Sequence, residues 1–413
     1  MGRSPVGSHR RNAASSSKAN RARPVFRRLL GPWSALRAFT GLPADARTIV
    51  FYAESGADWP HLGPIVGELT GTHRRTLCYV TSDDNDPVFA LDEPRVRRFF
   101  IGSGAARTTF FRLVDARVVV MTLSDLDTYH LKRSVHPAHY VYVFHSIVSS
   151  HMTYRKGAFD AYDTVLCVGP HHVAEIRRTE ELYGLRHKEL VEHGYARLDQ
   201  ILDAAATQPY ASTGGEPMRI LLAPSWGTGS YIEAPYGREL IDAVLAAGHS
   251  IVLRLHPMTV RRHPRLAPML VDAYRNRPFQ VETDMNAQES LHLSDLMIAD
   301  WSGAALEYAF GLERPVLFID TPRKVNNPEY ERLGLVPLEV SIRREIGAVI
   351  EPGDLRAAVD WIERLWGERN AFHDRLREAR ERSVYNLGRS AGVGAAHVAR
   401  LADAAATVER ARA

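Results

Sequence analysis

The chain has 413 residues, 45% of them hydrophobic and 24% charged, more than a single core usually organises, so two domains of similar size are expected. Its two cysteines, Cys78 and Cys167, each sit in an apolar run, which excludes a disulfide framework and a CxxC metal site and fits a reducing, cytosolic compartment. No apolar run approaches the roughly 18 to 20 residues that span a bilayer, and the N-terminus lacks a secretory h-region.

The formal net charge is +4, yet residues 1–40 hold nine Lys or Arg and no Asp or Glu. Taking those nine away leaves about −5 on the rest, so the basic character belongs to the tail. Its first part, GSHRRNAASSSKANRAR, reads as disordered. In PVFRRLLGPWSALRAFTGL, Phe26, Leu29, Leu30, Trp33, Leu36 and Phe39 interleave with Arg27, Arg28 and Arg37. That mixture suits an anionic membrane surface; packing on the body is the alternative. Nucleic acid is not expected, because the basic character stops at the tail.

From Arg47 onward, short β-rich apolar runs alternate with helical stretches. TIVFYAES, RTLCYVTS, RFFIGS, RVVVMTLS, YVYVFHS and TVLCVG read as strands, with helices near 61–70, 104–114, 151–160 and 171–183. This pattern predicts a parallel sheet covered on both faces. After LVEHGYARLDQIL comes a polar break, AATQPYASTGGEPM. A second alternation follows: RILLAPSW, SIVLRLHP, FQVET, DLMIAD, PVLFID and GAVIEP, with helices near 237–247, 263–274 and 303–311 and one opening at GDLRAAVDWIERLW. The expected organisation is a tail over 1–44, an α/β domain over 45–204, a linker over 205–218, a second α/β domain over 219–370 and a helical segment over 371–413. The fold class is therefore α/β, two doubly wound Rossmann-like domains facing each other across a cleft, with ligands outside the carboxyl ends of the strands.

Four motifs fall at such ends, with HGYARLD near the linker and TPRKVNNPEY further downstream. In SDLMIADWSGAALEYAF a strand ends at Asp300, and Ser302 and Gly303 open a helix whose N-terminus offers backbone N–H groups to a phosphate. Glu307, one turn on, is placed to reach a ribose hydroxyl; ordinary capping with a solvated Glu307 is the alternative. In VLRLHP, Arg254 and His256 alternate on one strand face, a pairing of a phosphate-binding guanidinium with a group that can give a proton near neutral pH. YVYVFHSIVSSHMTY places His145 at the end of an N-terminal strand as a candidate general base, with His151 more ambiguous. APSWG sets Ser225 against phosphate and Trp226 at the cleft edge. HGYARLD supplies Arg197 and Asp199, a pair that also reads as structural, and Arg323 and Lys324 in TPRKVNNPEY add charge near the phosphate site. No HExxH, Walker loop or GxGxxG follows the first strand, and no metal-ligand spacing is visible.

Taken in order, HS at 145, GYARLD at 194, APSW at 223, RLHP at 254 and SDLMIADWSGAALEYAFGLERPVLFID at 294 resemble the CDP-glycerol glycerophosphotransferase family, the teichoic-acid primases and polymerases with related capsule enzymes. The resemblance implies a GT-B architecture at the cytoplasmic membrane face. It also implies transfer of a polyol phosphate, most simply glycerol phosphate, from a CDP-linked donor to a hydroxyl of a lipid-linked or polymeric glycan, releasing CMP without a cofactor. It casts His145 as base, Arg254 and His256 as ligands of the donor diphosphate, Asp300, Ser302 and Gly303 as phosphate binders and Glu307 as the ribose contact. The chain departs from the family in having Ser146 where the family has Gly, Trp301 where it has Tyr and Gly303 where it has a second Ser. Those departures leave CDP-ribitol, another CDP-polyol or a nucleotide sugar open as donors, with a GT-B glycosyltransferase or a non-catalytic membrane-associated assembly protein as alternatives.

Overall fold

A computed structural model describes residues 24–207, 217–227, 229–234, 236–283, 288–355 and 357–412, with side chains between residues 31 and 404. The reading of residues 7–23 as disordered lies outside the described residues, as do residues 208–216 of the polar break at 205–218. Seven parallel strands form the first sheet: β1 (Ile49–Ala53), β2 (Leu77–Thr81), β3 (Val96–Phe100), β4 (Val118–Met121), β5 (His139–Val143), β6 (Thr164–Cys167) and β7 (Glu189–Glu192), in the order 3-2-1-4-5-6-7. Six more form the second: β8 (Arg219–Ala223), β9 (Ser250–Arg254), β10 (Phe279–Glu282), β11 (Leu296–Ala299), β12 (Val316–Ile319) and β13 (Gly347–Ile350), in the order 10-9-8-11-12-13. Every pairing is parallel, which requires a crossover between neighbours and explains the alternation in the sequence. The expected pair of doubly wound domains is present.

Continuous apolar runs become strands buried on both faces. Along β1, Val50 and Tyr52 enter one core, while Ile49, Phe51 and Ala53 enter another beneath the helices Trp59–Gly71 and Ser390–Arg412. The C-terminal helix therefore returns to the first domain. Asp199 fixes its start by accepting hydrogen bonds from the Gly388 and Ser390 amides at 2.7 and 3.0 Å.

Four local expectations change. Strand β7 was not anticipated, because a four-residue edge strand with exposed Glu189 and Glu192 carries little apolar signal. Residues 151–160 form turns instead of a helix; the carbonyls of His151, Met152 and Thr153 bind Asn326 and Asn327 rather than amides one turn on. The helix expected at 263–274 is two, Pro257–Arg262 and Leu266–Ala273, separated at His263 and Pro264. The end of the tail belongs to the body: in the helix Pro24–Thr40, Leu36 and Phe39 are buried and the Phe39 ring packs edge-on to Phe99 and Phe110, while Trp33 stays exposed. Phe39→Ala should therefore cost about 3–5 kcal/mol in urea unfolding, as for a large core ring, and Trp33→Ala less than about 0.5 kcal/mol.

Candidate active site

Each sheet reverses its winding beside its first strand, between β1 and β4 and between β8 and β11. Crevices open at the carboxyl ends of such strands, and the residues following β4, β5, β8, β9 and β11 meet there. On the first domain this places Thr122 and His145, and on the second Ser225, His256 and Asp300.

His145 is exposed at the cleft floor, yet the protein atoms around it lower its pKa, chiefly through burial. Its ring hydrogen-bonds the Thr122 carbonyl, which takes up one N–H and leaves the other nitrogen with its lone pair. The Tyr142 hydroxyl lies 3.5 Å from Nδ1. Asp58, held by the Glu54 and Ser55 amides and the Thr122 hydroxyl, acts on the ring in the opposite direction. Two further residues surround it that the sequence did not single out: His61, buried with its ring 6.3 Å from that of His145, and Tyr195. His61 carried no signal beyond its place in DWPHLGP, whereas Tyr195 lies inside the HGYARLD motif.

Across the cleft, His256 begins the helix Pro257–Arg262, with Nδ1 accepting the Met258 N–H at 3.1 Å. Burial, then the charges of Lys324 and His145, push its pKa down to about 3. The ring is therefore neutral near pH 7, with its proton on Nε2: it is a hydrogen-bond donor, not the imidazolium acid suggested by its residue type. Lys324 and Arg262 both lie over the Trp226 ring, 4.1 and 4.6 Å from its centre. Beside them a cavity of about 680 Å³ is lined by Glu233, Arg238, Arg262, His263, Leu266 and Met269, among others. Ser225 and Asp300 are buried together; the carboxylate accepts the Ser225 amide at 2.7 Å and its pKa is raised by burial. Asp300 thus shapes the Ser225 loop and offers Lys324 a counter-charge, which suits support of a phosphate site better than direct contact with an anion.

Other residues expected here are engaged elsewhere. Arg254 is buried, 3.6 Å from Glu282 and 3.4 Å from the Ser290 hydroxyl, so it braces the β9–β10 edge. Glu307 has both oxygens occupied, one by the Tyr195 hydroxyl at 2.8 Å and one by Arg197 Nε at 2.9 Å; this buried bridge replaces the anticipated ribose contact. Arg197 accordingly pairs with Glu307 and not with Asp199. His151 is buried away from the cleft, its Nδ1 3.2 Å from Glu175 and its Nε2 donating to the Leu335 carbonyl at 3.2 Å. Burial alone would lower its pKa, but Glu175 together with the Leu335 carbonyl and Glu339 raises it on balance. Arg323 is exposed and reaches the Tyr330 hydroxyl. Among the described residues no group of three or more His, Cys, Asp or Glu could hold a metal ion.

Two departures from the family pattern prove to touch. Gly303 starts the helix Ala304–Leu312, and a Cβ on it would stand 2.6 Å from the Ser146 hydroxyl. The serine on one domain and the glycine on the other are complementary, and together they let Ser302 and the helix N-terminus approach the His145 loop. Gly303→Ser should lower turnover and cost about 1 kcal/mol of stability by overpacking, and Ser146→Gly in the same chain should restore both. A double variant no better than Gly303→Ser would overturn the pairing; thermal melting and turnover of all three proteins decide it.

Two solved epimerases resemble the fold. These are a UDP-GlcNAc 2-epimerase from Neisseria meningitidis bound to UDP-GlcNAc (11% identity, TM-score 0.54, covering 86% of this chain and 99% of its own) and a UDP-N-acetylglucosamine 2-epimerase, so described, from Listeria monocytogenes (15%, 0.54, 84% and 94%). The wall teichoic acid polymerase TagF, in a substituted form soaked with CDPG, shares 16% identity with a TM-score of 0.53 over 92% of this chain and 95% of that one. At such identities the likeness is one of fold. No curated protein matches the chain in sequence. The model of the CDP-glycerol:poly(glycerophosphate) glycerophosphotransferases, however, matches residues 105–324, a span that runs from the first domain through His145 and His256 to Lys324. The chain belongs to that family of transferases.

Proposed function

We propose that the chain transfers a polyol phosphate, most simply glycerol phosphate, from a CDP-linked donor to a hydroxyl of a cell-envelope glycan or lipid-linked acceptor. The observation that carries this reading is the pair His145 and His256, one on each domain and near enough for the charge of one to depress the pKa of the other. In the proposed step the acceptor oxygen attacks the phosphorus that bears the polyol. The new P–O bond forms as the phosphoanhydride bond to CMP breaks, and its electron pair leaves on the CMP phosphate. His145 takes the hydroxyl proton. The Nε2–H of His256 and the Lys324 ammonium stabilise the oxygens that gain charge, so catalysis is mainly positioning and electrostatics.

The full-length protein with CDP-glycerol and a membrane acceptor should release CMP. His145→Ala and His256→Ala should each lower turnover by on the order of 10². Because the His145 pKa is lowered, its basic form persists below the usual histidine range, and kcat/KM should fall only on the acid side of about pH 6.5. Full activity in both variants would refute the assignment, and release of a nucleoside diphosphate from a sugar nucleotide would point instead to glycosyl transfer.

We further propose that the protein works peripherally on the inner face of the cell membrane through residues 1–40. The supporting observations are the nine basic residues, the exposed Trp33 and the anchoring of Leu36 and Phe39 in the body, which fixes where the basic segment emerges. No helix among the described residues is long and apolar enough to cross a membrane. Removing residues 1–23, and not 1–40 with their core contacts, should weaken co-sedimentation with anionic liposomes at unchanged melting temperature. Equal sedimentation would overturn this.

A further inference from the structure

The segment TPRKVNNPEY, residues 321–330, follows β12 in the donor domain, but its asparagines make their contacts in the acceptor domain. The amides of Asn326 and Asn327 donate to the Met152 carbonyl at 3.0 and 3.3 Å. Their side-chain amides donate to the carbonyls of Thr153 and His151 at 2.7 and 2.9 Å. Asn327 is 5% exposed, and its remaining side-chain oxygen accepts the Glu329 amide. Glu329 in turn binds Lys156 and the Tyr183 hydroxyl at 2.9 and 3.0 Å. Four successive donors thus grip the three carbonyls that lie six to eight residues after His145. At the other end of the same segment, the Thr321 carbonyl accepts the Trp301 indole N–H at 2.8 Å. Between these two anchors sits Lys324, over Trp226.

The charged groups around Lys324 are Arg262 on the helix Pro257–Arg262 and Asp300 after β11, with neutral His256 beside them. Two cations share one indole ring, and the carboxylates near them are already engaged, Asp300 by the Ser225 amide and Glu233 by the Gly227 amide, the Thr259 hydroxyl and His263. A diphosphate, carrying two or more negative charges, is the ligand chemistry that completes the cluster.

We infer that Lys324 is a ligand of the donor diphosphate, carried into the cleft by the 321–330 strap, and that Asn327 is the positioning residue that holds it there by gripping the acceptor domain. The inference rests on the reading of the cleft as the site of a CDP-linked donor. It adds that donor binding depends on a contact with the opposite domain.

Calorimetric titration of the full-length protein tests this, using CDP-glycerol and, as a probe without the polyol, CDP. Lys324→Met should weaken both by about tenfold or more, the usual loss for a charge-assisted contact. Asn327→Ala should weaken both by about three- to tenfold, although it lies outside the cleft. Wild-type affinity should fall as pH rises through about 8, where Lys324 loses its proton, and Lys324→Arg should abolish that fall. In Asn327→Ala the fall should move toward the ordinary lysine range near 10, because a released ammonium regains water; a residue with only a structural role would lower the melting temperature without moving it. Should Asn327→Ala not fold, Asn326→Ala removes the neighbouring grip at an exposed position. Binding by Lys324→Met within twofold of wild type, or an unchanged affinity and pH profile in the strap variants, would overturn the inference. Wild-type protein that binds CDP but not CDP-glycerol would sink the polyol donor and leave Lys324 to be judged on CDP. Binding of neither would sink both.

Discussion

The carboxylate of Glu307 joins the two halves of the molecule. It lies on the second-domain helix that begins at Gly303, and it is reached by Tyr195 and Arg197, from the segment that follows the last strand of the first domain. The same Tyr195 hydroxyl stands 3.0 Å from the carbonyl of His145. One buried acidic group therefore fixes both the helix whose N-terminus faces the cleft and the backbone that carries His145. A buried ion pair brings little net stability, because desolvation offsets the attraction. What it brings here is geometry: either partner left alone would be an uncompensated charge in the interior, so the helices can pack in only one way. Gly311 permits this packing, since a Cβ there would lie 2.4 Å from Ile201 on the facing helix.

This arrangement explains which parts of the site were legible in the sequence. Strand ends were legible, because parallel strands buried on both faces must be apolar runs and their polar successors must lie at one edge of the sheet. That reasoning placed His145, Ser225, His256 and Asp300 just beyond strand ends, and the structure has them there. The direction of a side chain beyond the strand end was not. Arg254 and His256 share a strand face by alternation, but the strand stops at Arg254, and the two diverge, one into the β9–β10 edge and one to the cleft. Glu307 was placed correctly one turn from the helix start, yet its partners lie 110 and 112 residues away in sequence, and no local pattern encodes them. Lys324 was singled out for its charge alone, and the asparagines after it were opaque for the same reason: their meaning depends on which carbonyls of the other domain they meet.

The electrostatics of the cleft also depend on structure more than on residue type. Histidine is suggestive because its ordinary pKa lies near physiological pH, but His145 and His256 are both displaced to the neutral form by the crowded interface. Neutral rings suit the proposed phosphoryl transfer, in which a leaving phosphate would need hydrogen bonds and cationic charge more than a proton. The positive charge comes instead from Lys324 and Arg262, kept beside the histidine by an aromatic ring.

Several other histidines hold the loop after His145 in place. His171 donates from Nε2 to the carbonyl of Ile147 at 2.8 Å, and His172 from Nε2 to that of Val148 at 2.9 Å while its Nδ1 accepts the Val168 amide. His151 is held between Glu175 and Leu335, and Glu339 accepts both the amide and the hydroxyl of Ser149 at 2.8 and 2.7 Å. The segment from Ile147 to Thr153 has almost no regular secondary structure, so its backbone polar groups need side-chain partners, and buried ones left unpaired would be costly. Imidazole, carboxylate and carboxamide groups from helices and strap supply them, and most of those partners come from well beyond the segment itself. A loop satisfied from that many directions has one conformation, and that single conformation is what keeps the His145 ring facing the second domain.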